Sequence, residues 1–357
     1  MPEVDLKELK RPITDPDLTA GQLEKKPKTD VLSVYPDLVL STGAKIPQVQ
    51  FGTYKMKKEE CKKSVLSALR KGYRGVDTAS VYDNEKEVGE AIKESGISRS
   101  SLFIQTKLWR SFTGAGKNGK PLCDAELRKS LKRLGTAYID IWLMHWPGPG
   151  RHLNYPPVRM GMDRPKQLIP GNEKKRVPEN WTPELRLETY KYMSKHVSPS
   201  GPVRALGVCN FSLRQMKDLV AFCDLEKIPR PALLQNECHP YLISRDIRNY
   251  CKEENIVFQA YASLGAGTIN LMSDQTVLKV SSELGVTPAQ VLLRWSVQHG
   301  CSVLPKSVNE KRQKTNLDIW GFKLSSNQMD LLDGLDQGAP GQNTMVGWLR
   351  EHDPDFY

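Results

Sequence analysis

The sequence predicts an α/β protein, a closed (β/α)8 (TIM) barrel with a short N-terminal hairpin and large loops on its C-terminal face. Three observations carry that expectation. Short apolar or β-branched runs alternate with amphipathic stretches of helical period from residue 49 to residue 307, the pattern of a parallel sheet wound with helices. The runs number eight, the count that closes a barrel rather than leaving an open doubly wound sheet. No Gly-x-Gly-x-x-Gly follows any of them, so the signature of a dinucleotide-binding Rossmann domain is absent.

Residues 1–35 are polar, rich in Pro, Lys and Asp and without a sustained period, and read as a flexible extension. Residues 36–357 are expected to form the barrel domain. It opens with a hairpin, DLVLSTGAKIP, in which two brief apolar segments flank a Ser-Thr-Gly-Ala turn. The strand-like runs follow in order: VQFGT, RGVDTA, LFIQTKL, IDIWLMH, VRALGVCNF, ALLQNE, VFQAYASL and CSVLPKS. Between them lie helical stretches such as KKEECKKSVLSALRKG, EKEVGEAIKESG, DAELRKSLKRLG, SLRQMKDLVAFC, SRDIRNYCKEEN and TPAQVLLRWSVQHG. Several open on a Ser, Asp or Thr cap and close on Gly.

Composition narrows the function classes. The 357 residues are 39% hydrophobic with a mean hydropathy of −0.50, enough apolar material for a large core. No apolar run approaches the ~20 residues that span a bilayer, and the first residues, MPEVDLKELK, are charged where a secretory signal is apolar. A cytoplasmic protein without membrane contact is expected. The seven cysteines, Cys61, Cys123, Cys209, Cys223, Cys238, Cys251 and Cys301, are odd in number and lack a Cys-x-x-Cys pair, so neither a disulfide framework nor a metal site is expected. The net charge of +11 is unevenly spread: Arg151 to Arg176 holds seven basic residues against two acids. No aromatic-interleaved basic stripe accompanies it, which favours anionic small molecules over nucleic acid.

Most strand-like runs end in a polar or ionisable residue: Asp77, Lys107, His145, Asn210, Gln235, Tyr261 and Lys306. Singly, each reads as a strand cap. In a barrel all of these ends share the C-terminal face, where such folds carry their chemistry, and seven together point to a site.

GYRGVDTASVYDNEKEVG (72–89), TKLW (106–109), HWP (145–147), GVCNF (207–211), LQNECHP (234–240), AYASLG (260–265), TPAQVLLRW (287–295) and PKS (305–307) together resemble the aldo-keto reductases. The resemblance implies a (β/α)8 barrel that binds NADPH/NADP+ without a Rossmann fold, reduces a small carbonyl compound and works as a monomer. Asp77, Tyr82, Lys107 and His145 match the family's catalytic tetrad, with Tyr82 as the acid, Lys107 lowering the tyrosine's pKa, Asp77 holding Lys107, and His145 orienting the carbonyl oxygen. The histidine argues against the steroid double-bond reductases, which carry glutamate there.

For the cofactor, Asn210 and Gln235 match residues bonded to the nicotinamide carboxamide and Tyr261 the ring stacked on it. Lys306, Ser307, Arg312 and Asn316 match the 2'-phosphate and adenine pocket, and Thr53, Asp77 and Leu264 complete the cofactor set. Tyr54, Val81, Trp109, His145 and Trp146 match the substrate pocket. Loops 110–121, 147–183 and the tail 340–357 with Trp348 are expected to set specificity. Departures from the family pattern are Cys209 for serine, Gln50 for glycine, Thr315 near adenine, and AYASLG. The alternative in another class is a non-catalytic NADPH-binding regulatory subunit on the same barrel.

Overall fold

The computed structural model describes residues 35–110, 121–148, 183–338 and 341. The chain opens with an antiparallel pair, β1 (Asp37–Val39) and β2 (Lys45–Pro47). Gly43 makes their turn, at φ +83, where L side chains are strained. The pair is short, yet Leu40 and Ile46 are buried against Phe103, Ile141, Leu143, Ala205 and Leu233. Phe103, Ala205 and Leu233 stand at strand beginnings, so the hairpin stops the N-terminal end of the barrel.

The barrel strands are β3 (Phe51–Gly52), β4 (Gly75–Asp77), β5 (Phe103–Leu108), β6 (Ile141–Met144), β7 (Leu206–Cys209), β8 (Leu233–Glu237), β9 (Val257–Tyr261) and β10 (Ser302–Val303). They form one eight-stranded sheet in sequential order, every pairing parallel. Backbone bonds seal the first strand to the last: Val303 N–H donates to Gln48 O at 2.8 Å, Gln50 N–H to Val303 O at 2.9 Å and Gly52 N–H to Pro305 O at 3.2 Å. The strands are buried on both faces, which is why they read as near-continuous apolar runs.

Helices α1 (Lys58–Arg70), α2 (Glu85–Ser95), α3 (Leu122–Leu134), α4 (Pro183–Ser194), α5 (Leu213–Glu226), α6 (Arg245–Glu253), α7 (Gln275–Leu284), α8 (Pro288–Gln298), α9 (Glu310–Leu317) and α10 (Ser326–Asp333) make up the helical layer among the described residues. Capping boxes open α5 (Ser212 with Gln215), α8 (Thr287 with Gln290) and α10 (Ser325 with Gln328). Left-handed Gly96, Gly135 and Gly285 end α2, α3 and α7. Helix α3 starts at Leu122, ahead of Asp124, and Ser244 precedes α6 at φ 50 without a side-chain cap. Helices α4, α7, α9 and α10 lie outside the helical stretches expected from the sequence. The extension 1–35, except Tyr35, and nearly all of loops 110–121 and 147–183 and of the tail lie outside the described residues.

Candidate active site

The strand ends deliver their polar residues to one face. Asp77 ends β4, Lys107 lies near the end of β5, His145 and Asn210 follow β6 and β7, Gln235 is in β8, and Tyr261 ends β9. Lys107 is completely buried, and its ammonium donates to Asp77 Oδ1 at 2.5 Å and to Thr78 O at 2.9 Å. A buried ammonium requires such a partner. Thr53 N–H and Oγ1–H both donate to Asp77 O, at 3.1 and 2.9 Å.

Tyr82 sits on a one-turn 3-10 helix, Ser80–Tyr82. Ser80 Oγ donates to Lys107 O at 3.0 Å, tying the turn to β5. Buried Asn84 secures its other side: its Nδ2 donates to Thr53 O at 3.0 Å and Met56 O at 3.1 Å, and its Oδ1 accepts from Thr78 Oγ1 at 2.8 Å. Asn84 was not among the sequence candidates. Two of its partners, Thr53 and Met56, belong to the loop after β3, a reach that no local spacing announces.

The Tyr82 ring lies 5.1 Å from Lys107 Nζ, with the Tyr54 ring centroid at 5.2 Å and that of His145 at 5.7 Å. Trp109 meets the imidazole edge-on at 5.2 Å and Trp146 lies nearly parallel to it at 6.4 Å. Trp146 is buried, as is Val81, while Tyr54 and Trp109 are half-buried. Tyr82, Lys107, Asp77, His145, Tyr54, Trp109 and Trp146 therefore make one linked group.

Three proton affinities in this group are displaced, the Tyr54 phenol being pushed up to about 12 by burial. Burial, then the Asp77 carboxylate, pushes the Tyr82 phenol well above its ordinary 10.0. Burial, not the Lys107 ammonium expected to lower it, sets the net direction; that ammonium lies 5.1 Å from the ring and is itself paired with Asp77 at 2.5 Å. Burial, then Lys107 and Arg110, holds His145 well below its ordinary 6.5, so the imidazole is neutral. Its Nδ1 is buried and without a hydrogen-bond partner among the described residues.

Next to this group, Tyr261 donates its hydroxyl to Asn210 Oδ1 at 2.6 Å, and Asn210 Nδ2 donates to His145 O at 2.9 Å. Asn210 holds a left-handed φ of 65. Cys209 is buried and its thiol donates to Gln235 Oε1 at 3.6 Å. Gln50 owes its place to Gly75, where a Cβ would stand 2.4 Å from Gln50 Cγ. Lys306, in the loop between β10 and α9, and Arg312, in the first turn of α9, are exposed, while Ser307 and Asn316 are buried. Leu264 is partly buried against the core at the start of a one-turn helix, Gly265–Gly267.

A barrel whose mouth holds a matched lysine–carboxylate pair, a protonated tyrosine and a neutral imidazole is equipped to stabilise and protonate a developing oxyanion. The chain belongs to the aldo/keto reductase family, whose model matches residues 48–337. It is 37% identical to a glycerol 2-dehydrogenase (NADP(+)) of Saccharomyces cerevisiae over 84% of this chain and 90% of that protein. An aldehyde reductase of the same yeast is 38% identical over 81% and 89%. Among solved structures, an aldose reductase of Schistosoma japonicum superposes with a TM-score of 0.72 at 30% identity, over 90% of this chain and 98% of that one. The protein is thus an enzyme, an oxidoreductase of carbonyl and CH–OH groups.

Proposed function

We propose that this protein reduces aldehydes and ketones to alcohols with NADPH, Tyr82 delivering the proton to the carbonyl oxygen. The observation that carries the reading is the Tyr82 ring set between the Lys107–Asp77 pair and the His145 ring. The raised phenol affinity does not disqualify it as a donor. An alkoxide is a far stronger base than a phenolate, and the phenol keeps its proton until the oxygen demands it. His145, neutral, orients that oxygen by hydrogen bonding, and Lys107 stabilises the phenolate left behind. Tyr54, Trp109 and Trp146 offer aromatic area to the body of the substrate.

The residues present fit the cofactor. Lys306 and Arg312 give exposed cations beside the Ser307 hydroxyl, as a 2'-phosphate requires. Asn210, Gln235 and the half-buried Tyr261 ring stand together beside His145, suited to a carboxamide and a flat ring. When bound, NADPH supplies the hydride. The same reading makes the protein a cytoplasmic monomer. No helix among the described residues is long and apolar enough to cross a membrane.

The test is consumption of NADPH absorbance with a panel of aldehydes, repeated for Tyr82→Phe. The substitution removes one oxygen and leaves the ring to pack, so NADPH affinity and melting temperature should stay near wild type. Turnover should fall by about 10² to 10⁴, the contribution of a positioned general acid. A Tyr82→Phe protein that binds NADPH and reduces a good aldehyde at the wild-type rate would remove Tyr82 from the reaction.

A further inference from the structure

Under the Lys107–Asp77 pair lies a layer of buried polar side chains inside the barrel. TIM-barrel layers are usually filled with Val, Ile and Leu; here Gln105 and Gln235 bond to Asp77 and, through Gln259, connect to Ser302. Strand register brings them together, pairing Asp77 with Gln105, Gln235 with Gln259, and Gln259 with Ser302. Gln105 Nε2 donates to Asp77 Oδ1 at 2.5 Å and to Gln259 Oε1 at 2.8 Å. Gln235 Nε2 donates to the same two oxygens, at 3.0 and 2.8 Å. Gln259 Nε2 donates to Ser302 Oγ at 3.1 Å.

The direction of every bond follows from one group. A carboxylate only accepts, so Gln105 and Gln235 must turn their NH2 groups to Asp77. Each NH2 has a second proton. Both second protons point to Gln259, which must therefore present its oxygen and send its own NH2 on to Ser302. Gln235 is left with both protons engaged inside the barrel and with its carbonyl oxygen on the Cys209 side, where the thiol reaches it at 3.6 Å.

We infer that Gln105 and Gln259 are positioning residues that fix the Gln235 amide with its oxygen toward the nicotinamide end of the cofactor, so that the site selects a carboxamide NH2. The inference rests on the NADPH reading above. An amide free to rotate would present oxygen or NH2 as needed and discriminate little. One held by Asp77 and Gln259 accepts from an NH2 and offers no donor to a ring substituent that lacks one.

The experiment compares NADPH with its 3-acetylpyridine analogue, in which a methyl ketone replaces the carboxamide, by fluorescence titration of the full chain. Binding of 2',5'-ADP, which reports the adenosine end alone, serves as the control. Wild type should prefer NADPH. Gln259→Met, of similar volume and without a hydrogen-bonding amide, should narrow that preference about three- to tenfold, the worth of one neutral hydrogen bond, with 2',5'-ADP binding unchanged. Should Gln259→Met lose 2',5'-ADP as well, Gln105→Met is the deciding variant, with the same narrowing expected. An undiminished preference in a variant that still binds 2',5'-ADP overturns the inference. So does a wild type that binds both cofactors equally, an outcome that leaves the NADPH reading intact. A wild type that binds neither NADPH nor 2',5'-ADP defeats that reading instead.

Discussion

Tyr82 and His145 are displaced in opposite directions by the same burial, and the consequence is measurable. The phenol must carry its proton to donate it, and its pKa lies above the ordinary 10.0. The imidazole must be neutral to act as proposed, and its pKa lies below 6.5. Neither group changes state between those values, so kcat/KM for aldehyde reduction should be flat from pH 6.5 to 10.0. A pH profile with a Tyr82-dependent inflection inside that window would contradict the assignment of roles. Away from that pair, Lys306 is exposed in the loop between β10 and α9. If it holds the 2'-phosphate by a charge-assisted bond of about 1.5–3 kcal/mol, Lys306→Ala should weaken NADPH roughly ten- to hundredfold and leave NADH nearly unchanged. Equal weakening of both in a titration would place the phosphate elsewhere.

Among the elements, α2, α3 and β5 meet at one buried carboxylate. Glu85 has no exposed side-chain surface and accepts from Thr106 Oγ1 at 2.6 Å, Arg133 Nε at 2.6 Å and Ser130 Oγ at 3.2 Å. Glu85→Ala leaves three donors without their acceptor. Denaturant unfolding should show a loss of about 3 kcal/mol, at the lower end for a broken buried pair because Arg133 keeps Glu126 at 2.6 Å. A loss under about 1 kcal/mol would mean that water replaces the carboxylate. The strands were legible because both of their faces are buried, and the hairpin because its turn needs glycine. Helix α4 was not: the face it buries holds Arg186, Thr189, Tyr190, Met193 and Ser194, too polar to mark a 3.6-residue period. The convergence of Asp77, Lys107 and His145 followed from strand ends sharing a face. The glutamine layer carries a weaker signal: Gln105 stands two residues before Lys107 and Gln259 two before Tyr261, hence on the same face of each strand.

For the molecule as a whole, the two features at its N-terminal side should behave differently. Residues 1–33 lack a hydrophobic face in sequence, so a chain starting at residue 34 should keep its melting temperature and activity. An inactive or insoluble truncated chain would assign the extension a structural part. Ile46, fully buried in the hairpin, should not be dispensable: Ile46→Ala should cost about 2–5 kcal/mol.

The seal between β3 and β10 bears on how the molecule is made. Besides its backbone bonds, Gln48 Nε2 reaches Val297 O and Cys301 O, 249 and 253 residues further along the chain. Nothing translated earlier supplies those acceptors. A ribosome adding roughly 5–20 residues per second spends on the order of 10–50 s between the two strands. For that interval β3 is an open edge, a template for any other nascent strand. The last barrel strand therefore completes the sheet and also ends the period in which the growing chain is most exposed to mispairing.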